Sequence, residues 1–300
     1  MKILLINNPQ AGHGRGRELL PRIEGRFQFH GCELDLRLTE HSGHGISLTR
    51  EADLSRYDAV VAAGGDGTLY EVVTGYYRNP SQNKPPVGII PAGTGNAFVR
   101  EMDLKGSDWE KAVDTIVRGE TRAVDVARFI TQDEVHHSLN ILGVGFVSDV
   151  SETSEHLKFL GTHAYLAAVF YRLLSLRTYP LRLTFDGHSE SVDACFAVVS
   201  NSRYTGTDFF IAPRAKMDDG LLDLVVLKKI SRRRIIQMFR TIYSGTHIRE
   251  PEVAYHQARK ITIDTETPRV LNVDGEVFGR TPVEIECLPG DLRLLWKRGA

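Results

Sequence analysis

The sequence predicts an α/β domain followed by a mainly antiparallel β domain, and three observations predict it. Over the first 125 residues, short apolar runs alternate with helical patterns, as in a parallel sheet covered on both faces. Beyond Asp125, strand-like segments dominate, punctuated by Gly, Pro, Asn and Asp, as in an antiparallel sandwich or curved sheet. Two strand ends, at Gly64 and Pro91, run into glycine turns and then into helices. The expected architecture is a three-layer α/β domain with a mostly parallel sheet over 1–124. A β-sandwich domain with a few helices follows over 125–300, its final residues packing back on the first domain.

The elements follow in order. Lys2–Asn7 is an apolar strand, Arg15–Phe29 a helix, Glu33–Leu38 an alternating strand and Gly45–Ala52 helical. Tyr57–Ala63 is a continuous apolar run, Leu69–Tyr77 a helix, and Pro86–Pro91 repeats the strand. Thr94–Glu101 and Asp108–Val117 complete the first domain as helices. In the second, the expected strands are Val124–Thr131, Val135–Leu142, Pro180–Asp186, Ser191–Ser200, Gly220–Leu227, Lys260–Thr265, Arg269–Asp274, Pro282–Glu286 and Asp291–Trp296. Helices interrupt them near Val147–Leu157, Thr162–Leu176 and Ser231–Tyr243.

Composition narrows the function classes. With 37 Lys+Arg against 38 Asp+Glu, the chain lacks the basic excess of a dedicated nucleic-acid binder. Its three cysteines, Cys32, Cys195 and Cys287, form neither a disulfide framework nor a CxxC metal site, which suits a reducing compartment. The longest apolar stretch, Ala164–Leu176, falls short of the roughly 18 residues of a membrane span and contains Arg172. The N-terminal MKILLINNPQ breaks at Asn-Asn-Pro where a signal peptide would stay apolar.

The chemistry concentrates in Val60–Glu71, a buried strand, the turn Gly64-Gly65-Asp66-Gly67-Thr68, and a helix. Glycines there let the backbone approach a ligand closely, and the first N–H groups of the helix are free to face an anion. Thr68 offers a hydroxyl, and Asp66 a carboxylate for a Mg²⁺–phosphate unit. Pro91-Ala92-Gly93-Thr94-Gly95-Asn96 repeats the logic after the next strand, and Asn7–Gly12 forms a third polar loop at the same sheet edge. Neither a Walker A sequence nor a GxGxxG run with its ribose-binding acid is present. The expectation is a nucleotide-phosphate site of another kind.

These motifs resemble the diacylglycerol kinase catalytic-domain family, particularly its soluble bacterial lipid kinases. GGDGT at 64–68, PAGTGN at 91–96 and NPQAG at 8–12 carry the resemblance. Asn140–Phe146, the stretch from Asn201 to Asp208 with Ile211-Ala212-Pro213, Asp218–Asp223 and Asp274-Gly275-Glu276 extend it in order along the chain. The resemblance implies an ATP- and Mg²⁺-dependent lipid kinase, most simply one converting diacylglycerol to phosphatidic acid. Kinases of phosphatidylglycerol, ceramide or a sphingoid base, NAD kinase, and a non-catalytic nucleotide- or lipid-binding sensor stand as alternatives. By that resemblance ATP sits against Gly64, Gly65, Asp66, Gly67 and Thr68, with Asn8, Thr39, Glu71 and Thr94 as further contacts. Asp66 organises the catalytic Mg²⁺, and Glu276 is the general base for the lipid hydroxyl. A structural Mg²⁺ is implied at Asp219, with backbone carbonyls of Lys216 and Leu221.

The implied setting is cytoplasmic and peripheral to a membrane, with a lipid substrate met at the surface and no nucleic-acid partner. A homodimer is compatible with the sequence. Lys228–Arg234 holds five cations in seven residues and leads into a short amphipathic helix containing Ile235, Phe239 and Ile242. That helix is read either as packed on the sandwich with solvated arginines or as a docking element. Leu157–Leu176 is the second candidate for acyl-chain contact. His41, His44, His136 and His137 lack partners at metal-ligand spacing and are expected at loop or strand surfaces.

Overall fold

The computed structural model describes residues 1–132, 134–157, 164–206 and 209–297. The chain divides into two compact units, Met1–Val124 with Gly290–Ala300, and Asp125–Pro289.

The first unit runs β1 (Lys2–Asn7), α1 (Ala11–Phe29), β2 (Glu33–Leu38), α2 (His44–Arg50), β3 (Ala59–Gly64), α3 (Asp66–Arg78), β4 (Val87–Pro91) and α4 (Trp109–Arg118). Its sheet has the order β4-β3-β1-β2, every pair parallel. Alternation along each strand sets the layers. Ile3, Leu5, Ala59, Val61 and Ile90 pack with Leu19, Ile23 and Phe27 of α1 and Trp109, Val113 and Ile116 of α4. The intervening side chains, Leu4, Ile6, Val60 and Ala62, are buried on the opposite face. In α1, Gly12, His13 and Gly14 have φ of 58°, 59° and 96°, so regular helix begins at Arg15.

The expected helix Thr94–Glu101 is shorter than its pattern suggests. A loop occupies 92–97, and only Phe98–Met102 forms a 3-10 turn. Asn96 stands at φ 50°, its side-chain oxygen accepting the Gly93 N–H at 2.9 Å and its amide donating to the Gly93 carbonyl at 2.6 Å. That closed Asn turn competes with helix formation.

The second unit contains β5 (Thr121–Thr131, which begins in the first), β6 (Glu134–Ser138), β7 (Ile141–Gly145), α5 (Phe146–His156), α6 (Ala164–Leu174), β8 (Tyr179–Phe185), β9 (His188–Ser200) and β10 (Leu222–Lys228). It continues with α7 (Arg232–Met238), α8 (Thr241–Ser244), β11 (Val253–Ala258), β12 (Lys260–Thr265), β13 (Val270–Val273), β14 (Glu276–Arg280) and β15 (Val283–Leu295). Neighbouring strands here are antiparallel. The long β9 organises them. Its first half pairs with β8, and its second half lies between β7 and β10.

Several segments depart from the sequence expectation. The single strand Val135–Leu142 is two, β6 and β7, separated at Leu139-Asn140. The two strands Pro282–Glu286 and Asp291–Trp296 are one, since Gly290 at φ 59° carries β15 through. The helix Ser231–Tyr243 is split into α7 and α8. β15 begins in the second unit against β12, and its Leu294 pairs with Val87 of β4 in the first. Within the first unit that tail is tied down by Trp296 N–H to the Glu120 carbonyl at 2.9 Å and Tyr77 O–H to Asp291 at 2.8 Å.

Candidate active site

Three strand ends of the parallel sheet carry the first part of the site. Backbone bonds stitch their loops together: Asn8 N–H to the Ala63 carbonyl at 2.9 Å, and Ala92 and Gly93 N–H to the Gly64 carbonyl at 2.8 and 3.1 Å. At the end of β2, buried Thr39 donates its N–H to the Asn7 carbonyl at 2.9 Å. The loops after β3 and β4 touch backbone to backbone. A Cβ on Gly93 would lie 2.4 Å from the Gly65 Cα, so only glycine lets them approach this closely. Asn8 donates from its amide to the Thr68 hydroxyl at 3.3 Å and accepts the Gln10 N–H at 3.0 Å.

α3 begins at Asp66 with Gly65 extended before it, and no side chain caps it. Asp66 takes its own N–H with its carboxylate, and the helix dipole favours an anion at the first turn beyond it. Gly64, Gly65, Gly67, Thr68, Asn8, Thr39 and the exposed Thr94 are thus gathered at one sheet edge. The geometry suits phosphate oxygens.

Asp66 has a task the sequence does not reveal. Its two carboxylate oxygens accept the N–H groups of Ala97 and Phe98, each at 2.9 Å, and so close the start of the 3-10 turn. Burial raises its pKa against the opposing pull of those backbone bonds. A cation beside it would offset that desolvation, so the residue fits the position of a Mg²⁺ organiser.

The Glu71 carboxylate oxygens accept the N–H groups of Gly43 at 2.6 Å and Gly45 at 2.8 Å, at the N-terminus of α2. Both oxygens are committed to the loop after Thr39, so Glu71 holds that loop. Replacing Glu71 with Gln is expected to lower stability by about 1–3 kcal/mol, because one N–H then meets an amide donor. Denaturant unfolding measures this, and unchanged stability together with a raised KM for ATP would favour the nucleotide-contact reading.

In the second unit, β13 and β14 form a hairpin in which Val273 pairs with Glu276. The two turn residues, Asp274 at φ 52° and Gly275 at φ 94°, both have the left-handed backbone of a type I′ turn. The Asp274 carboxylate accepts the Ser138 hydroxyl at 2.7 Å and the Ile141 N–H at 2.8 Å, pinning the turn to β6 and β7. Glu276, half-buried, opens β14 from this anchored turn.

The 216–221 loop is held by Asp125, whose carboxylate accepts the Gly220 N–H at 2.7 Å and whose N–H reaches the Met217 carbonyl at 2.6 Å. Asp219 is exposed, and one of its oxygens accepts the Leu221 N–H at 3.1 Å. Beside it Asp223 is buried. It accepts the Tyr255 hydroxyl at 2.6 Å, and its other oxygen has no hydrogen-bond partner. Burial, then the charge of Asp219, raises its pKa to about 6. Among the described residues no three His, Cys, Asp or Glu side chains converge as metal ligands. A cation here would rest on Asp219 and backbone carbonyls, an oxygen-only set that suits a hard ion. Asp125 carries no motif in the sequence, and Asp223 appears there only as the end of the Asp218–Asp223 stretch. Their signal was a lone carboxylate inside an apolar strand, Val124-Asp125-Val126 and Leu222-Asp223-Leu224.

The same unit holds an apolar pocket of about 110 Å³ that opens to solvent. Val150, Leu173, Phe196, Val225, Ile235 and Phe239 represent its walls, and its few polar lining residues are Thr205, His247 and Asn272. Ile235 and Met238 of α7 are buried in these walls, as are Val169 and Leu173 of α6. Residues 158–163 of the acyl-contact candidate, and Thr207 and Asp208 of the motif after Asn201, lie outside the described residues. His136 and His137 are buried, contrary to expectation, because β6 turns His136 onto the Phe129 ring at a centroid distance of 5.2 Å.

The chain thus joins an α/β unit, with glycine turns gathered at one sheet edge, to an antiparallel β unit with an anchored acidic hairpin, an arrangement compatible with a phosphotransferase. Comparison with known proteins narrows the class. The diacylglycerol kinase catalytic domain matches residues 2–129, and the YegS C-terminal NAD kinase beta sandwich-like domain matches residues 140–296. A diacylglycerol kinase of Bacillus subtilis (strain 168) is 30% identical, covering 93% of this chain and 91% of its own. One from Staphylococcus haemolyticus (strain JCSC1435) is 34% identical, covering 96% and 88%. A solved structure of a diacylglycerol kinase from Bacillus anthracis str. Sterne is 26% identical, covers 99% of this chain and 97% of its own, and superposes with a TM-score of 0.72. The chain belongs to the diacylglycerol kinase family, a family of lipid kinases.

Proposed function

We propose that the protein transfers the γ-phosphoryl group of ATP to the free hydroxyl of diacylglycerol, giving phosphatidic acid. The observation that carries the lipid assignment is the apolar cavity. Asn272 of β13 lines it, and the same strand leads through the anchored turn to Glu276. A dinucleotide would leave such walls in contact with charged phosphates, whereas acyl chains bury against them at about 25 cal/mol per Å². This favours a lipid acceptor over NAD.

The chain's own residues divide the work. The N–H groups of Gly65, Gly67 and Thr68 and the loop of Thr94 receive the nucleotide phosphates, with Thr39 and Asn8 bracing them. Mg²⁺ held with ATP at Asp66 would supply neutralising charge for the phosphates. Glu276 takes the proton from the acceptor hydroxyl, and positioning with electrostatic stabilisation supplies most of the acceleration. Asp219, with the carbonyls of Lys216 and Leu221, would hold a second, structural Mg²⁺. The working location in this reading is the cytoplasmic surface of a membrane.

The test is a labelled-ATP assay against diacylglycerol, phosphatidylglycerol, ceramide, sphingosine and NAD. Diacylglycerol is expected to be labelled at least tenfold faster than the others. Faster labelling of another lipid would replace the acceptor and keep the kinase, whereas labelling of NAD alone would overturn the lipid reading.

A further inference from the structure

Buried faces account for only half of α6 and α7. On α6, Ala168, Val169 and Leu173 point into the core cluster, while Phe170, Tyr171 and Leu174 are 56%, 61% and 71% exposed. On α7, Ile235 and Met238 are buried beside them, while Ile236 is 57% exposed. The two helices adjoin: Phe170 lies 6.5 Å from Phe239, which in turn lies 5.9 Å from the exposed Tyr243. Large apolar side chains massed this way on a water-facing surface mark an interaction site.

The surrounding charge selects the partner. Arg232, Arg233 and Arg240, at i−4, i−3 and i+4 from Ile236, are exposed and make no ion pair among the described residues, and Lys228 and Lys229 precede them likewise. Arg234 differs. It is held by Glu250 and by Glu252 at 2.9 Å, which neutralise it and fix α7 to β11 and the turn before it. Acidic groups near this face include Glu250 and Glu252, already paired, Glu152, which pairs with Arg172 of α6 at 3.4 Å, and exposed Asp193, whose carbonyl accepts the Lys229 N–H at 2.8 Å. Cations flanking exposed apolar side chains on a short helix suit the headgroup–acyl boundary of an anionic bilayer.

We infer that Phe170, Tyr171, Leu174, Ile236 and Tyr243, ringed by Lys228, Lys229, Arg232, Arg233 and Arg240, form the surface by which the protein docks on anionic membranes. The face continues into the acyl cavity, because Phe239 both lines that cavity and contacts Phe170 and Tyr243. A lipid leaving the bilayer at this face would enter apolar walls directly. The inference rests on the lipid-kinase reading for its purpose, but its test does not.

The full chain is co-sedimented with phosphatidylcholine vesicles and with vesicles of phosphatidylcholine mixed with anionic phosphatidylglycerol, at low and high salt. Wild type is expected to bind the anionic vesicles and to release at high salt. Arg232→Gln/Arg233→Gln/Arg240→Gln should weaken binding on the order of a hundredfold, roughly fivefold per cation. Tyr171→Ser/Leu174→Ser/Ile236→Ser should weaken binding to both vesicle types. Both variants should phosphorylate monomeric short-chain diacylglycerol at the wild-type rate. Equal vesicle binding by wild type and both variants would overturn the docking surface. So would a wild-type dimer that the serine variant converts to monomer, since a second copy would then cover the face. Absence of lipid phosphorylation by wild type, with vesicle binding intact, would instead defeat the kinase reading alone.

Discussion

Exchange of Glu276 for Gln is expected to lower lipid phosphorylation by about 10²–10⁴-fold while ATP binds with wild-type affinity. The change is isosteric, and the turn that presents residue 276 is fixed by Asp274 through Ser138 and Ile141. A Gln side chain should therefore occupy the same place without the basicity. Turnover and equilibrium ATP binding, measured on the same preparation, separate the effects. Wild-type turnover in the Gln variant would reduce Glu276 to an ordinary hairpin acid.

Asp66 carries the second large effect, and here two roles must be separated. Asp66→Ala removes both acceptors for the Ala97 and Phe98 N–H groups, so a stability loss of about 2–4 kcal/mol is expected, with activity lost as well. Asp66→Asn keeps one acceptor and removes the charge. It should recover at least half of that stability while turnover stays below about a thousandth of wild type, because the phosphates then lack an organised counter-charge. Denaturant unfolding and phosphorylation assays of the pair decide the matter. Recovery of both properties in Asn would leave Asp66 only as the clamp between loops.

The parts legible in the sequence were those written in local backbone chemistry. Paired glycines after apolar strands announced the turns at 64–67 and 93–95, and Asp274-Gly275 announced a break at the end of the strand Arg269–Asp274. Roles that depend on residues meeting across the fold were not legible. Glu71 looks like a helix acid one turn past a phosphate loop, and only the packing of α3 against α2 turns it toward Gly43 and Gly45. Arg234 looks like one of three equivalent arginines until β11 and the turn before it bring Glu250 and Glu252 to it. The burial of His136 likewise needs Phe129 and Phe278, brought together by the β5–β6 pair and by β14. Short β11 and β14 escaped because neither holds a long apolar run. The cavity escaped because its walls come from apolar residues that also read as ordinary core.

The tail that completes the first unit has a consequence for how the protein is made. Leu294 pairs with Val87, and Leu295 packs with Ile3, Val61 and Trp109. On the ribosome, β4 therefore emerges long before the strand that covers its edge, and all of the second unit is synthesised in between. An uncovered edge of a parallel sheet is a template for pairing with other chains. The nascent first unit must stay soluble in that interval, and a fragment ending at Val124 would keep the vulnerability permanently. Truncating the chain at Gly290 should thus be felt as aggregation during expression before it is felt as lost catalysis.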